Sequence, residues 1–208
     1  MEAALPLRSD VGRHSRLMRG TMRDVLFVQG AGAGVHAEWD IHLVASLRRE
    51  LGSSYAVHYP RMPDEADPTL AAWGPVLERE LAALGPGAVA VGHSAGGTML
   101  IHVLADAAPA AGLAAVVLIA APFIGDGGWA SEEIAPRPDL AERLPAAAPV
   151  LLYHGEADAE VPVAHVELYA AAIPRAQVRR LPGRDHQLHN DLSEVAHDIR
   201  TLLSRGDV

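Results

Sequence analysis

Residues 88–107, AVAVGHSAGGTMLIHVLADA, constrain the chain more than any other stretch. A short apolar run (88–91) leads into Gly92-His93-Ser94-Ala95-Gly96-Gly97, and Met99, Ile101, Val103 and Leu104 follow at helical spacing. The pattern predicts a buried strand, a very tight turn and a helix, with one serine at the tip of the turn. Gly92 and Gly96 flank Ser94 at the spacing G-x-S-x-G. A chain that reverses so sharply has no room for side chains there, because a Cβ at either position is expected to strike the opposite arm. The turn lifts the Ser94 hydroxyl clear of the sheet. The amide of Ala95 falls at the helix N-terminus, where the helix dipole favours a developing negative charge. The expectation is a nucleophile with one oxyanion donor beside it.

The rest of the chain repeats the alternation of apolar run and helical segment. Strands are predicted at residues 24–29, 55–59, 88–91, 114–120, 150–153 and 177–181, and helices at 39–51, 69–84, 139–144, 163–173 and 191–203. Gly74-Pro75 marks a kink in the second helix. Such alternation implies right-handed crossovers and a mainly parallel sheet of about six strands, covered on both faces in three layers. Residues 1–21 hold scattered arginines and no apolar centre, and read as a loose tail; residues 22–208 read as a single α/β domain.

In open parallel sheets ligands gather at the carboxyl ends of the strands. A serine at neutral pH needs a base there. His186 lies in Pro182-Gly183-Arg184-Asp185-His186, after the last strand, with His189 as its rival. An acid must orient the imidazole and stabilise its charged form. Asp158 follows the fifth strand, with Glu156, Glu160 and Asp126 as rivals. The second oxyanion donor is expected from Gln29-Gly30-Ala31-Gly32, at the amide of Ala31 with Gly32 second. A dinucleotide cradle fits that turn poorly, since the third glycine is misplaced by one residue and no acid closes the next strand. His36 and His42 lack the spacing of a zinc helix.

Composition narrows the chemistry. All basic residues are arginine, which excludes a lysine Schiff base, and the absence of cysteine excludes thiolate chemistry. A net charge of −9 with no basic run argues against nucleic acid or an anionic membrane as partner. The longest apolar run, residues 113–121, is far shorter than the roughly 20 residues of a membrane span. A cytoplasmic location and a monomer or small homo-oligomer are expected.

With these residues in hand, the chain resembles the α/β-hydrolases over nearly its whole length past residue 22. Within them it is similar to the small, lidless serine hydrolases of the retinoblastoma-binding protein 9/YdeN type. The likeness rests on the Gly-rich turn with Trp39 downstream, Arg61-Met62-Pro63-Asp64, Trp73, Gly92-His93-Ser94-Ala95-Gly96, Asp158 with Val161-Pro162, and the terminal histidine loop. It implies a Ser94–Asp158–His186 triad and esterase-type activity. Gln29-Gly30 stands where many relatives have His-Gly, and Gln187 follows the histidine where an apolar residue is usual. The expected reaction is hydrolysis of small or medium acyl esters, with the amides of Ala31 and Ala95 holding the oxyanion and no cofactor or metal. Trp39, Phe123 and Trp129 are the expected substrate walls, with Ile124 and Met62 beside them. The excursion over residues 122–149 is too short for a full lid. Two alternatives stand: a cofactor-free haloperoxidase, perhydrolase or carbon–carbon hydrolase on the same triad, and a non-catalytic protein-binding module.

Overall fold

The computed structural model describes residues 22–107 and 112–205, so the tail expected over residues 1–21 lies outside the described residues. Six strands form one sheet: β1 (Arg23–Val28), β2 (Tyr55–His58), β3 (Ala88–His93), β4 (Leu113–Ile119), β5 (Val150–Gly155) and β6 (Gln177–Leu181). Their order is β2-β1-β3-β4-β5-β6, and every neighbouring pair is parallel. β3 and β5 are buried along their whole length, which is why they read as unbroken apolar runs. β2 and β6 form the edges and are only partly covered.

Alternate side chains of each strand enter two separate cores. Val25 and Phe27 meet Leu43 and Leu47 of α1 (Asp40–Leu51) and Val195 and Ile199 of α6 (Ser193–Arg205). Leu26 and Val28 join the opposite layer, with Trp73 and Leu77 of α2 (Leu70–Ala83), Leu100 and Leu104 of α3 (Ala95–Asp106), and Tyr169 of α5 (Ala164–Ala172). A short α4 (Leu140–Arg143) adds Leu140 to the same core.

Helix α2 runs through Pro75, the position the sequence marks for a kink, without ending there. A residue before proline normally resists helical backbone because its Cβ meets the ring, and Gly74 has no Cβ. One unexpected feature is a single π-turn at Val35–Trp39, entered from Gly34 at φ 79°. Another is the turn Leu188–Asn190, whose three residues all have left-handed φ. Among the described residues no helix is long and apolar enough to cross a membrane.

β1 lies between β2 and β3, so the chain leaves β1 and β3 toward opposite sides and opens a crevice at their carboxyl ends. Val28 is in register with Gly92, which brings Gly30 alongside Ser94. A Cβ on Gly30 would lie 3.2 Å from that of Ser94.

Candidate active site

Ser94 sits between β3 and α3 at φ 49°, ψ −129°, a strained conformation for a residue with a side chain. Hydrogen bonds hold it there: Ser94 N–H donates to the Ile119 carbonyl at 2.8 Å, and Gly97 N–H donates to the Ser94 carbonyl at 2.9 Å. The glycines around it divide the work differently from the expectation. A Cβ on Gly92 would indeed strike the opposite arm, 2.5 Å from Gly97 Cα. One on Gly96 would instead strike the neighbouring strand, 2.0 Å from the Gln29 carbonyl oxygen. Gly97, to which the motif gives no role, is equally confined, its Cβ position being 2.8 Å from Ala121 Cβ.

The turn after β1 is pinned by residues that no sequence motif marks. Glu65 is nearly buried and accepts from Gln29 Nε2 (2.9 Å), Arg61 (2.8 Å), Gly34 N–H (3.1 Å) and His36 N–H (3.3 Å). Burial pushes its carboxyl up, but the hydrogen bonds from Gln29, Arg61 and the His36 amide, with the Arg61 charge, hold it below the usual range. Gln29 Oε1 in turn accepts from Met62 N–H at 3.1 Å, so the glutamine that departs from the family pattern is a bolt between the turn and the Arg61–Asp64 segment. Trp73 Nε1 donates to the Pro63 carbonyl at 2.7 Å, fixing that segment on α2. Gly32 N–H is taken by the Glu65 carbonyl at 2.6 Å, whereas among the described residues no backbone hydrogen bond of the two turns engages the amides of Ala31 or Ala95.

The acid and histidine loops meet closely. A Cβ on Gly155 would lie 2.3 Å from the Arg184 carbonyl oxygen, and Ala157 N–H donates to that same carbonyl at 2.9 Å. This contact brings His186 Nδ1 to 2.8 Å from Asp158 Oδ2. Asp158 Oδ1 accepts from the amides of Glu160 (2.8 Å) and Val161 (2.9 Å), and His154 Nε2 lies 3.3 Å from Oδ2 while donating to the Val161 carbonyl at 2.8 Å. The Asp158 side chain is fully shielded. Burial alone pushes it up, but hydrogen bonds from His154, His186 and the Val161 amide outweigh that and hold it well below the ordinary carboxylate range. The rivals Asp126, Glu156, Glu160 and His189 are all exposed. His189 lies beside Asp185 at 3.8 Å. Glu160 Oε2 comes within 3.7 Å of His186 Nε2.

Beneath the elbow lies a second His–Asp contact. His93 Nδ1 is 3.0 Å from Asp40 Oδ2, and both side chains are buried. Asp40 also accepts from Gly30 N–H at 2.7 Å and from Gln187 Nε2 at 3.2 Å.

Ser94 and His186 face one cavity of about 330 Å³, open to solvent and lined also by Gly30 to Ala33, Trp39 and Glu160. Trp39 is exposed and forms part of its wall. Phe123 and Trp129 do not line it, contrary to expectation. The excursion that carries them doubles back on itself: Trp129 N–H donates to the Phe123 carbonyl at 2.9 Å. It is then pinned on α5, where Phe123 N–H donates to His165 Nδ1, the Phe123 ring packs edge-on against Tyr169, and Trp129 packs edge-on against His165. Met62 and Ile124 are core residues. Among the described residues, no three His, Cys, Asp or Glu side chains gather as a metal site requires.

This is the α/β-hydrolase fold, with a strained serine at the elbow after its third strand. YdeN from B. subtilis superposes with a TM-score of 0.70 at 17% identity, covering 88% of this chain and 99% of that one. The serine hydrolase CarC, involved in carbazole degradation, gives 0.67 at 17% identity over 89% and 92% of the two chains. The esterase RhEst1 from Rhodococcus sp. ECU1013 gives 0.62 at 18% identity over 88% and 90%. The family model for serine hydrolases matches residues 26–186, and the chain belongs to that family. None of the curated proteins matches it.

Proposed function

We propose that this serine hydrolase cleaves esters of small or medium carboxylic acids through Ser94, His186 and Asp158. The observation that carries the reading is the 2.8 Å contact between His186 Nδ1 and the shielded Asp158 carboxylate, on the wall of the cavity that holds Ser94. With Nδ1 donating to Asp158, the neutral ring keeps its lone pair on Nε2, free to accept the serine proton.

On this reading His186 Nε2 takes the proton as Ser94 Oγ attacks the ester carbonyl. The resulting imidazolium is stabilised by Asp158, which stays ionised because its carboxyl is held so low. In this mechanism the amides of Ala31 and Ala95 donate to the oxyanion, and the α3 N-terminus adds its partial positive charge. His186 then protonates the departing alkoxide. Water, deprotonated by the same nitrogen, releases the acid from Ser94. No cofactor enters any step.

The test is turnover of p-nitrophenyl esters of graded acyl length, together with labelling by a fluorophosphonate probe. The native protein is expected to hydrolyse the shorter esters and to be labelled at Ser94. Ser94→Ala is expected to fold normally, lose labelling and lose turnover by at least about 1,000-fold. Ester turnover in Ser94→Ala near that of the native protein would reject the assignment.

A further inference from the structure

His93 and Asp40 are charged or chargeable, completely enclosed, and outside the proton path just described. His93 is the last residue of β3, directly before Ser94, and Asp40 opens α1; their side chains are 1% and 0% exposed. His93 Nε2 lies 3.1 Å from the carbonyl oxygen of His186, and Nδ1 lies 3.0 Å from Asp40 Oδ2. Each contact dictates a proton. A carbonyl oxygen only accepts, so Nε2 must carry hydrogen. Asp40 already accepts from Gly30 N–H and Gln187 Nε2, so a bare lone pair on Nδ1 would face an electron-rich carboxylate oxygen across 3.0 Å. Burial pushes the Asp40 carboxyl up, but the His93 charge and the hydrogen bonds from His93, Gly30 and Gln187 outweigh it and hold Asp40 ionised. Beside a carboxylate the contact is attractive only when Nδ1 carries hydrogen too. An unpaired carboxylate this deeply buried is costly, and an imidazolium beside it offsets part of that cost.

We infer that His93 and Asp40 form a lasting imidazolium–carboxylate pair that acts as a strut under the active site, holding three of its parts in register. Asp40 holds the turn after β1 through Gly30, next to Ala31. His93 holds the elbow through its own backbone. The two together hold the histidine loop through the His186 carbonyl and the Gln187 side chain. Both are positioning residues, since neither reaches the reacting atoms. The inference rests on the Ser94–His186–Asp158 reading for its effect on rate, though not for the charge state itself.

The groups facing His93 are Asp40 from α1, the His186 ring at 4.9 Å between centroids, and Asp158 beyond it. Burial disfavours the charged ring, but the Asp40 charge and hydrogen bond, the His186 carbonyl and the more distant Asp158 together raise its pKa. The sign follows: a pKa raised on folding keeps the strut whole at neutral pH, and the strut is lost as pH climbs through the raised value.

The decisive measurement is nitrogen-15 NMR of the histidine side chains in the native protein, with His93 assigned by the signals missing from His93→Gln. Both ring nitrogens of His93 are expected to carry protons at about pH 8, where an ordinary imidazole is neutral. In kinetics, Asp40→Asn is expected to lower kcat for a p-nitrophenyl ester by about 10- to 100-fold with KM within about threefold, because positioning rather than binding is lost. Its activity should also fall at lower pH on the alkaline side than that of the native protein. A single proton on His93 at that pH overturns the strut, and so does native kcat in Asp40→Asn. If Asp40→Asn does not fold, the spectrum of the native protein decides. Ser94→Ala should leave the His93 signals unchanged, so failure of the nucleophile assignment and failure of the strut are read separately.

Discussion

Alanine at Gly96 tests how closely β1 and the serine elbow must fit. Its Cβ would lie 2.0 Å from the Gln29 carbonyl oxygen and 2.8 Å from that of Val28. Real Cβ contacts essentially never fall below 3.0 Å, so the two segments must part by at least 1.0 Å. Neither can give cheaply: both obstacles are backbone, Val28 is registered with Gly92 in the sheet, and the Gln29 side chain is bolted to Glu65 and Met62. The displacement is delivered to Gly30 and Ala31, the residues set against Ser94. A misplacement of about 1 Å in such a site costs on the order of 100-fold in rate. Forcing one carbon into a packed interior costs about 1–3 kcal/mol, which lowers Tm by roughly 3–10 °C in a domain this size. Ester turnover and a thermal melt read both effects. Gly52→Ala is the control, because its Cβ meets nothing within 4 Å and carries only the strain of φ 75°. It should lose about 1–3 kcal/mol of stability, because φ 75° with ψ −172° is open almost only to glycine, with kcat unaltered. The reasoning fails if Gly96→Ala keeps kcat/KM within threefold of native, or if Gly52→Ala loses as much activity.

Three further outcomes are expected. Glu65→Gln removes the charge that collects four donors around the turn after β1; a loss of about 1–3 kcal/mol and a fall in kcat of about tenfold should appear in melts and ester assays, and an unchanged Tm would count against the clamp. His102, buried on α3, is pushed down to about 4 by burial and the Arg137 charge. Its folded pKa is depressed, so its contribution is complete above the unfolded value of 6.5 and is lost as pH falls through about 4. Urea unfolding at pH 7 and pH 4 should show His102→Gln sparing about 3 kcal/mol of acid destabilisation, and parallel losses in both proteins would refute this. Glu160 Oε2 is 3.7 Å from the nitrogen proposed to protonate the leaving group, so a cationic alcohol should be favoured over its neutral isostere. At about 5 Å in near-aqueous surroundings the attraction is about 0.8 kcal/mol, so Glu160→Gln should cut that preference about fourfold; an unchanged ratio of kcat/KM for the two esters would sink the idea.

The sheet was legible because its central strands are buried on both faces, and only continuous apolar runs such as residues 88–91 and 114–120 tolerate that. Ser94 was legible because a tight turn restricts residue choice locally, within five positions. Asp158 and His186 could be proposed from their loops after successive strands, but their 2.8 Å contact depends on backbone packing at Gly155 that no local pattern encodes. Asp40, Glu65 and His154 carried no signal of their own. Asp40 and Glu65 find their partners across the fold, 53 residues away at His93 and 36 away at Gln29. His93 carries no signal for another reason: it occupies the free position of the motif, where any residue satisfies the pattern. Trp39 does line the cavity, but Phe123 and Trp129 do not, because a Gly-rich excursion gives no hint of which way it turns, and α5 captures both through His165.

The main-chain hydrogen bond from Ala157 N–H to the Arg184 carbonyl gives the candidate site its mechanical character. Loops that touch atom to atom along their main chains cannot drift separately, so thermal motion carries the acid and the imidazole together. The Asp158–His186 pair is therefore assembled in the resting protein, and on the proposed reading an ester would meet it ready-made.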